Sequence, residues 1–187
     1  MSRVLVPIAK GFEEIEAVTI IDVLRRAEIE VLVASLDENS LVKGANFITL
    51  KADYVVKNIT SDEIDMVVLP GGWVGTHGLA DDKNVQRLLR EMDAKGKQIG
   101  AICAAPYALA RAGVLKSEFT CYPSVEEEIK EEGYVGDGSM VVTSQNVMTS
   151  RGPATAICFA LAIVKKLKGQ EMYESIRSGL LATYCEE

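Results

Sequence analysis

One cysteine falls where a buried strand must bend into a helix. Cys103 follows the apolar run Gln98–Ile102 and precedes Ala104-Ala105-Pro106, where small residues permit a tight turn and proline suits a first helical turn. A thiol at a helix N-terminus meets free N–H groups and a partial positive charge, which favour the thiolate. Two interpretations follow: Cys103 is a nucleophile, or it is a small buried apolar residue, as free cysteines usually are.

A glutamate lies within the apolar face of the first predicted helix. At roughly 100° per residue, Glu16 shares a face with Ile20, Val23 and Ala27. Carboxylates rarely enter such a face, because burial of the charge is costly unless the group is neutralised. Glu16 is therefore a candidate general acid/base, the alternative being an N-capping or rim-exposed glutamate.

A glycine pair follows a third apolar strand pattern. Met66–Leu69 leads into Pro70-Gly71-Gly72, where main-chain N–H groups could converge on an oxyanion. The turn is not a phosphate-binding loop, because the Gly-Lys-Ser/Thr ending of that motif does not follow.

The single histidine, His77, begins the next helix and is predicted to be a polar residue of the pocket rim or surface rather than a base. Trp73 covers either the pocket or an interface.

Strand-like and helix-like runs alternate along the chain, and several strands are apolar on both faces, which is typical of a parallel sheet covered by helices on each side. The pattern predicts one domain over residues 1–187, an α/β three-layer sandwich of flavodoxin-like type with a mostly parallel sheet. In such sheets ligands bind at the carboxyl ends of strands, where the three turns above lie. The predicted strands are Val4–Ile8, Glu30–Leu36, Phe47–Leu50, Tyr54–Val56, Met66–Leu69, Gln98–Ile102, Met140–Thr143 and Val147–Thr149. The predicted helices are Glu13–Ala27, Asn84–Ala94, Ala104–Ala112, Pro153–Leu167 and Glu171–Leu181.

Charge and composition exclude several classes of protein. The 187 residues include 20 Lys and Arg against 27 Asp and Glu, so the net charge of −7 gives no basic footprint for nucleic acid or anionic lipid. No uncharged stretch approaches the roughly 20 residues of a membrane span, and the N-terminus has no signal-peptide pattern, so a cytoplasmic location is expected. The acidic run Glu126–Glu128 is predicted to be a solvated helix face.

The four cysteines show neither C-x-x-C spacing nor clustering with histidine, so the sequence predicts no metal site and no disulfide framework. Each cysteine is therefore interpreted alone. Cys121, Cys158 and Cys185 are expected to be structural, with Cys185 placed next to the chain end.

Four motifs, in this order, resemble the ThiJ/PfpI superfamily, and the nearest branch is the one that contains bacterial YajL and the human parkinsonism-associated deglycase. They are Ala9–Glu16, Leu69–Gly72, Ala101–Pro106 and Thr149–Thr155. The resemblance implies that Cys103 is the reactive cysteine and that Glu16 hydrogen-bonds it. It also implies an oxyanion site at the N–H groups of Gly72 and Ala104, shaped by Gly71, and a pocket border at Arg151, Gly152 and Pro153. A homodimer with the first helix near the interface, and no cofactor, are implied as well.

The chain departs from the family pattern beside the cysteine. Where many members have a Thr-His-Pro segment, this chain has Tyr122 in place of the histidine, at the pocket rim. Protease-like members have a histidine directly after the cysteine, whereas Ala104 follows here, which disfavours peptidase or amidotransferase chemistry.

Three hypotheses of function follow. The first is a cofactor-independent glyoxalase or deglycase that acts on methylglyoxal, glyoxal or their early adducts, through a Cys103 hemithioacetal with Glu16 as proton shuttle. The second is an oxidative-stress-responsive redox-sensor or chaperone dimer whose Cys103 oxidises to the sulfinate. The third is a thiol hydrolase with His77 as its base.

Overall fold

The computed structural model describes residues 2–185. A seven-stranded sheet runs through its centre, accompanied by a separate two-stranded hairpin. The strands are β1 (Arg3–Ile8), β2 (Glu30–Ser35), β3 (Leu41–Lys43), β4 (Thr49–Lys51), β5 (Tyr54–Val55), β6 (Met66–Leu69), β7 (Gln98–Ile102), β8 (Val141–Ser144) and β9 (Val147–Ser150). The order in the main sheet is β5-β2-β1-β6-β7-β9-β8, with every neighbouring pair parallel except β8 and β9.

Helices cover both faces of this sheet. They are α1 (Glu14–Arg26), α2 (Trp73–Asp81), α3 (Lys83–Ala94), α4 (Pro106–Ala112), α5 (Val125–Ile129), α6 (Ala156–Lys168) and α7 (Gln170–Gly179), with 3₁₀ turns at Val56–Asn58 and Pro153–Thr155. None of the helices within residues 2–185 is long and apolar enough to cross a membrane.

The alternating residues of the central strands divide the core into two clusters. Val4 and Val6 of β1 belong to the cluster that includes α1 and α6, whereas Leu5 belongs to the cluster that includes α3 and α4. Strands buried on both faces in this way need helices on each side, because each face removes apolar surface from water. The predicted three-layer α/β sandwich with a mostly parallel sheet is confirmed.

The region between β2 and β5 differs from the prediction. A strand was expected over Phe47–Leu50, but the chain forms a hairpin of β3 and β4, and Phe47 lies in its turn with a positive φ of 70°. Glu14, which the helical periodicity assigns to the solvated side of α1, is instead buried. Its carboxylate accepts hydrogen bonds from the backbone N–H of Asn46 (2.6 Å) and Ile48 (3.3 Å), and from Asn46 Nδ2 (3.1 Å). The hairpin therefore provides the polar surroundings of the Glu14 carboxylate, and the helical periodicity of α1 carries no information about them.

The expectation that each cysteine stands alone, outside any disulfide, is wrong for Cys158 and Cys185. Cys158 in α6 and Cys185 after α7 form a disulfide across a sequence separation of 27. Cys185 is buried rather than exposed, and its carbonyl accepts a hydrogen bond from the Tyr173 hydroxyl at 3.2 Å. The disulfide and this hydrogen bond attach the segment after α7 to α6.

We expect reduction of this disulfide to destabilise the fold. Closing a loop of this length removes denatured-state entropy equivalent to about 3 kcal/mol. Cys185→Ser should therefore lower the free energy of unfolding by about 3 kcal/mol in urea titrations under oxidising conditions. Dithiothreitol should destabilise the wild type by a similar amount and leave Cys185→Ser unaffected. An unfolding midpoint of the wild type that is insensitive to dithiothreitol would contradict the pairing.

Candidate active site

The carboxyl ends of neighbouring parallel strands bring the three predicted turns together. Because β1, β6 and β7 are adjacent, the turns that follow them lie at one edge of the sheet. Glu13 N–H donates to the Gly71 carbonyl at 2.9 Å, which joins the start of α1 to the turn after β6. Residues that are 55 positions apart in the sequence, Glu16 and Gly71, are thereby placed in contact.

Cys103 lies in a sharp turn between β7 and α4. Its φ is +63°, a left-handed conformation that is uncommon for any residue other than glycine. Two backbone hydrogen bonds hold it there: Cys103 N–H donates to the Ser150 carbonyl at 3.0 Å, and its own carbonyl accepts from Tyr122 N–H at 2.8 Å. Strained backbone that the surroundings hold in place is typical of functional residues. Cys103 is only 8% exposed, so reagents reach it through a narrow opening.

Glu16 is completely buried on the first turn of α1. Its Oε2 accepts a hydrogen bond from Gly71 N–H at 2.8 Å. Its Oε1 has no hydrogen-bond partner within residues 2–185, and the neighbouring Cys103 thiol lowers the pKa of the carboxyl. The helix places this residue firmly, because the Glu13 side chain caps α1 by accepting from Glu16 N–H at 2.8 Å. The carboxyl therefore has unused hydrogen-bonding capacity beside the thiol.

Two glycines make this contact sterically possible. A Cβ atom on Gly71 would lie 2.6 Å from Cys103 Cβ and 2.7 Å from Glu16 Oε2, so any side chain there would force the pair apart. Gly72 has a φ of +86°, and its Cβ would lie 2.4 Å from the Gly11 carbonyl oxygen. The backbone N–H groups of Gly72 and Ala104 interact with the Cys103 sulfur, and each lowers the thiol pKa.

The ionisation of Glu16 and Cys103 is coupled. Burial raises the pKa of the Glu16 carboxyl to about 7, with opposing effects from Cys103 and the Gly71 N–H. Burial and the Glu16 charge raise the pKa of the Cys103 thiol to about 12. Protonation of Glu16 removes that charge and provides an O–H donor for the sulfur, so the thiolate is favoured while Glu16 keeps its proton. The helix N-terminus therefore does not set the state of Cys103 by itself.

A cavity of about 450 Å³ opens beside the thiol. Its walls come from α2, the sharp turn between β7 and α4, the segment before α5, and α5 itself. The lining residues are Trp73, Cys103, Ala104, Tyr122, Ser124, Val125, Glu127 and Glu128. Tyr122, expected at the pocket rim, and Trp73, expected at either the pocket or an interface, both line this cavity.

The remaining sequence candidates lie around the cavity without lining it. Gly152 packs closely against the ring of Tyr122: a Cβ atom added to Gly152 would lie 3.3 Å from Tyr122 Cδ2. Arg151 extends toward Asp137, with 3.8 Å between Nη1 and the carboxylate, and Pro153 begins the 3₁₀ turn. His77 contacts the rings of Trp73 and Tyr107, with centroids at 4.6 Å and 5.2 Å. That packing offers no support for His77 as a base acting on the thiol.

Sequence reasoning did not assign Ser124, Glu127 and Glu128 to the cavity. They belong to α5, a five-residue helix, and to its N-cap. This helix lies over the cavity only after the chain returns from the far side of the sheet. No spacing pattern signals that return. Within residues 2–185 no group of three His, Cys, Asp or Glu side chains could hold a metal ion.

The profile of the DJ-1/PfpI family matches residues 2–166, and this chain belongs to that family. Protein dj-1beta of Drosophila melanogaster is 40% identical over 181 residues, covering 96% of this chain and 97% of the fly protein. The crystal structure of Drosophila melanogaster DJ-1beta superposes with a TM-score of 0.92 at 41% identity, covering 97% of this chain and 98% of that one. The family expected from the four sequence motifs is confirmed.

Two other relatives carry names that state an activity. Glutathione-independent glyoxalase DJR-1.2 of Caenorhabditis elegans is 37% identical over 166 residues, covering 88% of this chain and 87% of the nematode protein. Glutathione-independent glyoxalase DJ-1 of Schizosaccharomyces pombe is 30% identical over 188 residues, covering 96% and 98% of the two chains.

We expect Glu16→Gln to stabilise the protein at neutral and alkaline pH. Because burial raises the Glu16 pKa from 4.5 to about 7, the native state binds more protons than the unfolded chain between these values, and wild-type stability falls as pH rises through that window. Gln is neutral throughout, so at about pH 8 the variant should unfold with a free energy roughly 3 kcal/mol higher than wild type. Near pH 4 the difference should vanish.

Glu14→Gln is the matched control for this measurement. Burial raises the Glu14 pKa, but the hydrogen bonds from Asn46 and Ile48 outweigh it, so the net shift is downward. Glu14→Gln should therefore destabilise the protein at about pH 8. If Glu16→Gln destabilised the protein at about pH 8 as Glu14→Gln is expected to do, the raised pKa of Glu16 would be wrong.

Proposed function

We propose that this protein is a cysteine-dependent glyoxalase or deglycase that converts small 2-oxoaldehydes, or their early adducts, to hydroxy acids without a cofactor. The observation that carries the proposal is the contact between the buried Glu16 carboxyl and the Cys103 thiol at the cavity. The family relatives named as glutathione-independent glyoxalases support the same reaction class.

The first step joins the aldehyde to the cysteine. With methylglyoxal as substrate, the reacting pair is the Cys103 thiolate beside protonated Glu16. The sulfur forms a bond to the aldehyde carbon, the C=O π bond breaks, and the carbonyl oxygen takes the proton that Glu16 held, giving a hemithioacetal. We assign stabilisation of the developing oxyanion to the N–H groups of Gly72 and Ala104, because both interact with the sulfur and lower the thiol pKa. Glu16 leaves this step as a carboxylate.

The second step moves a proton between adjacent carbons. The Glu16 carboxylate takes the C–H proton of the hemithioacetal carbon, which gives an enediolate, and then returns it to the neighbouring carbon while the hydroxyl proton passes from the first oxygen to the second. The product is a lactoyl thioester on Cys103. Water hydrolyses that thioester to lactic acid: one of the two protons released returns to Glu16 and the other leaves as the acid ionises, which restores the thiolate beside protonated Glu16. One carbon is thereby oxidised and its neighbour reduced without an external electron acceptor.

Replacement of either member of the pair should abolish or severely reduce turnover. We expect Cys103→Ala to form no lactate from methylglyoxal in the absence of glutathione, because the covalent intermediate cannot form. Glu16→Gln should lower kcat by about 100-fold to 10,000-fold, the usual contribution of a positioned acid/base. Lactate is measured directly, and Cys121→Ala, which removes the other free cysteine, should remain active.

Two results would contradict the proposal. Full turnover by Glu16→Gln would eliminate the proton shuttle, and absence of lactate with wild type would eliminate the glyoxalase itself. In the second case the redox-sensor alternative gains weight, and the selective gain of two oxygens on Cys103 after mild peroxide, seen by intact mass, is its signature.

We also propose that the chain forms a homodimer through the exposed face of α1. Ile15 and Val18 are three residues apart on that helix and are 58% and 44% exposed, and Val74 of α2 is 65% exposed. Exposed apolar side chains that recur at helical spacing favour a protein interface.

Val18→Asp should weaken this dimer. A carboxylate introduced into an apolar interface loses its hydration without a partner, so the variant should shift toward the mass of one chain in sedimentation equilibrium. Leu181→Asp introduces the same charge at an exposed leucine after α7 and should leave the mass unchanged. A wild type that sediments as a single chain would eliminate the dimer.

A further inference from the structure

Two carboxylates stand at the opening of the cavity that contains Cys103. Glu127 and Glu128 line it from α5, and both are exposed. The helix that carries them is anchored, because Val125 and Ile129 are buried beneath it. The predicted solvated acidic face of this segment therefore borders the cavity at a fixed position.

No positively charged side chain within residues 2–185 lines the cavity beside these carboxylates. Of the side chains that line the cavity within residues 2–185, only Glu127 and Glu128 carry charge. Arg151 lies beyond the cavity wall, where its guanidinium is 3.8 Å from the Asp137 carboxylate. Glu126, the third acidic residue of α5, does not line the cavity, and its Oε2 lies 3.9 Å from the Sγ of the buried Cys121. The electrostatic potential at the opening is therefore negative, and the net charge of −7 adds to it.

Aromatic rings form the remaining outer wall. Trp73 and Tyr122 line the same cavity and are 44% and 49% exposed. Aromatic faces attract cations, so these rings favour the same sign of charge as the carboxylates. A substrate that extends from the thiol toward solvent must pass both the rings and the carboxylates.

We propose that Glu127 and Glu128 make the active site selective for 2-oxoaldehydes that carry a positive charge, and against those that carry a negative charge. The inference rests on the proposed glyoxalase reaction, since selectivity is expressed in turnover at Cys103. The carboxylates act on approach and binding through their field and take no part in the proton transfers.

Three arylglyoxals of similar size test the proposal: neutral phenylglyoxal, the 4-trimethylammonio derivative and the 4-carboxy derivative. For each, kcat/KM is measured at low ionic strength by formation of the mandelate product. The ratio of cationic to anionic kcat/KM should be about tenfold higher in wild type than in Glu127→Gln/Glu128→Gln. The comparison between proteins cancels intrinsic differences in reactivity among the three aldehydes.

Two controls isolate the position of the charges. Glu131→Gln/Glu132→Gln removes the same net charge from exposed residues outside the cavity lining, and should keep the wild-type ratio. About 0.5 M NaCl should reduce the wild-type ratio toward that of Glu127→Gln/Glu128→Gln, because these carboxylates are exposed and screened by salt. The Glu127→Lys/Glu128→Lys variant should shift the preference toward the anionic substrate.

The outcomes separate this inference from the proposed function. If wild type turns over none of the three aldehydes, the glyoxalase proposal fails. If it turns over all three and the ratio is the same in wild type and Glu127→Gln/Glu128→Gln, the charge selectivity is wrong while the reaction stands. An equal loss of the ratio in Glu131→Gln/Glu132→Gln would show that net charge, rather than these two carboxylates, is responsible.

Discussion

The site depends on one contact, in which a fully buried carboxyl of α1 meets a thiol at the end of β7. Within residues 2–185, Glu16 accepts one hydrogen bond, from the Gly71 N–H to Oε2, and its Oε1 has no hydrogen-bond partner. Burial with so few hydrogen-bond donors disfavours the charged carboxylate relative to the protonated carboxyl, and for this reason the pKa of Glu16 is raised. The apolar packing of α1 and α6 on the sheet offsets the unfavourable free energy of burying this carboxyl.

The contrast with Glu14 shows that burial alone does not determine ionisation. Both glutamates belong to the first turn of α1 and both are buried. Glu14 accepts three hydrogen bonds from the β3–β4 hairpin, which lower its pKa, whereas Glu16 accepts one within the described residues and lies beside the Cys103 thiol. One side chain therefore anchors a hairpin as an anion, and the raised pKa of the other favours a protonated carboxyl next to the thiol.

Backbone geometry gives the contact its precision. The positive φ of Cys103 directs its sulfur out of the sheet, and hydrogen bonds to Ser150 and Tyr122 hold that conformation. Gly71 leaves the space that the two side chains occupy. The same turns bring the N–H groups of Gly72 and Ala104 close enough to the sulfur to lower the thiol pKa, so the thiol, the buried carboxyl and these N–H groups come from three adjacent strand ends.

The sequence by itself determined the three-layer fold and singled out Cys103 and Glu16, because a buried parallel sheet, a strand-to-helix turn and an acid on an apolar helix face are local patterns. Tertiary structure decided what depends on distant segments meeting. The Cys158–Cys185 disulfide, the anchoring of Glu14 by Asn46, and the position of α5 over the cavity have no local signature. Periodicity reports which face of an element is apolar, whereas the partner of that face is set only when the chain packs.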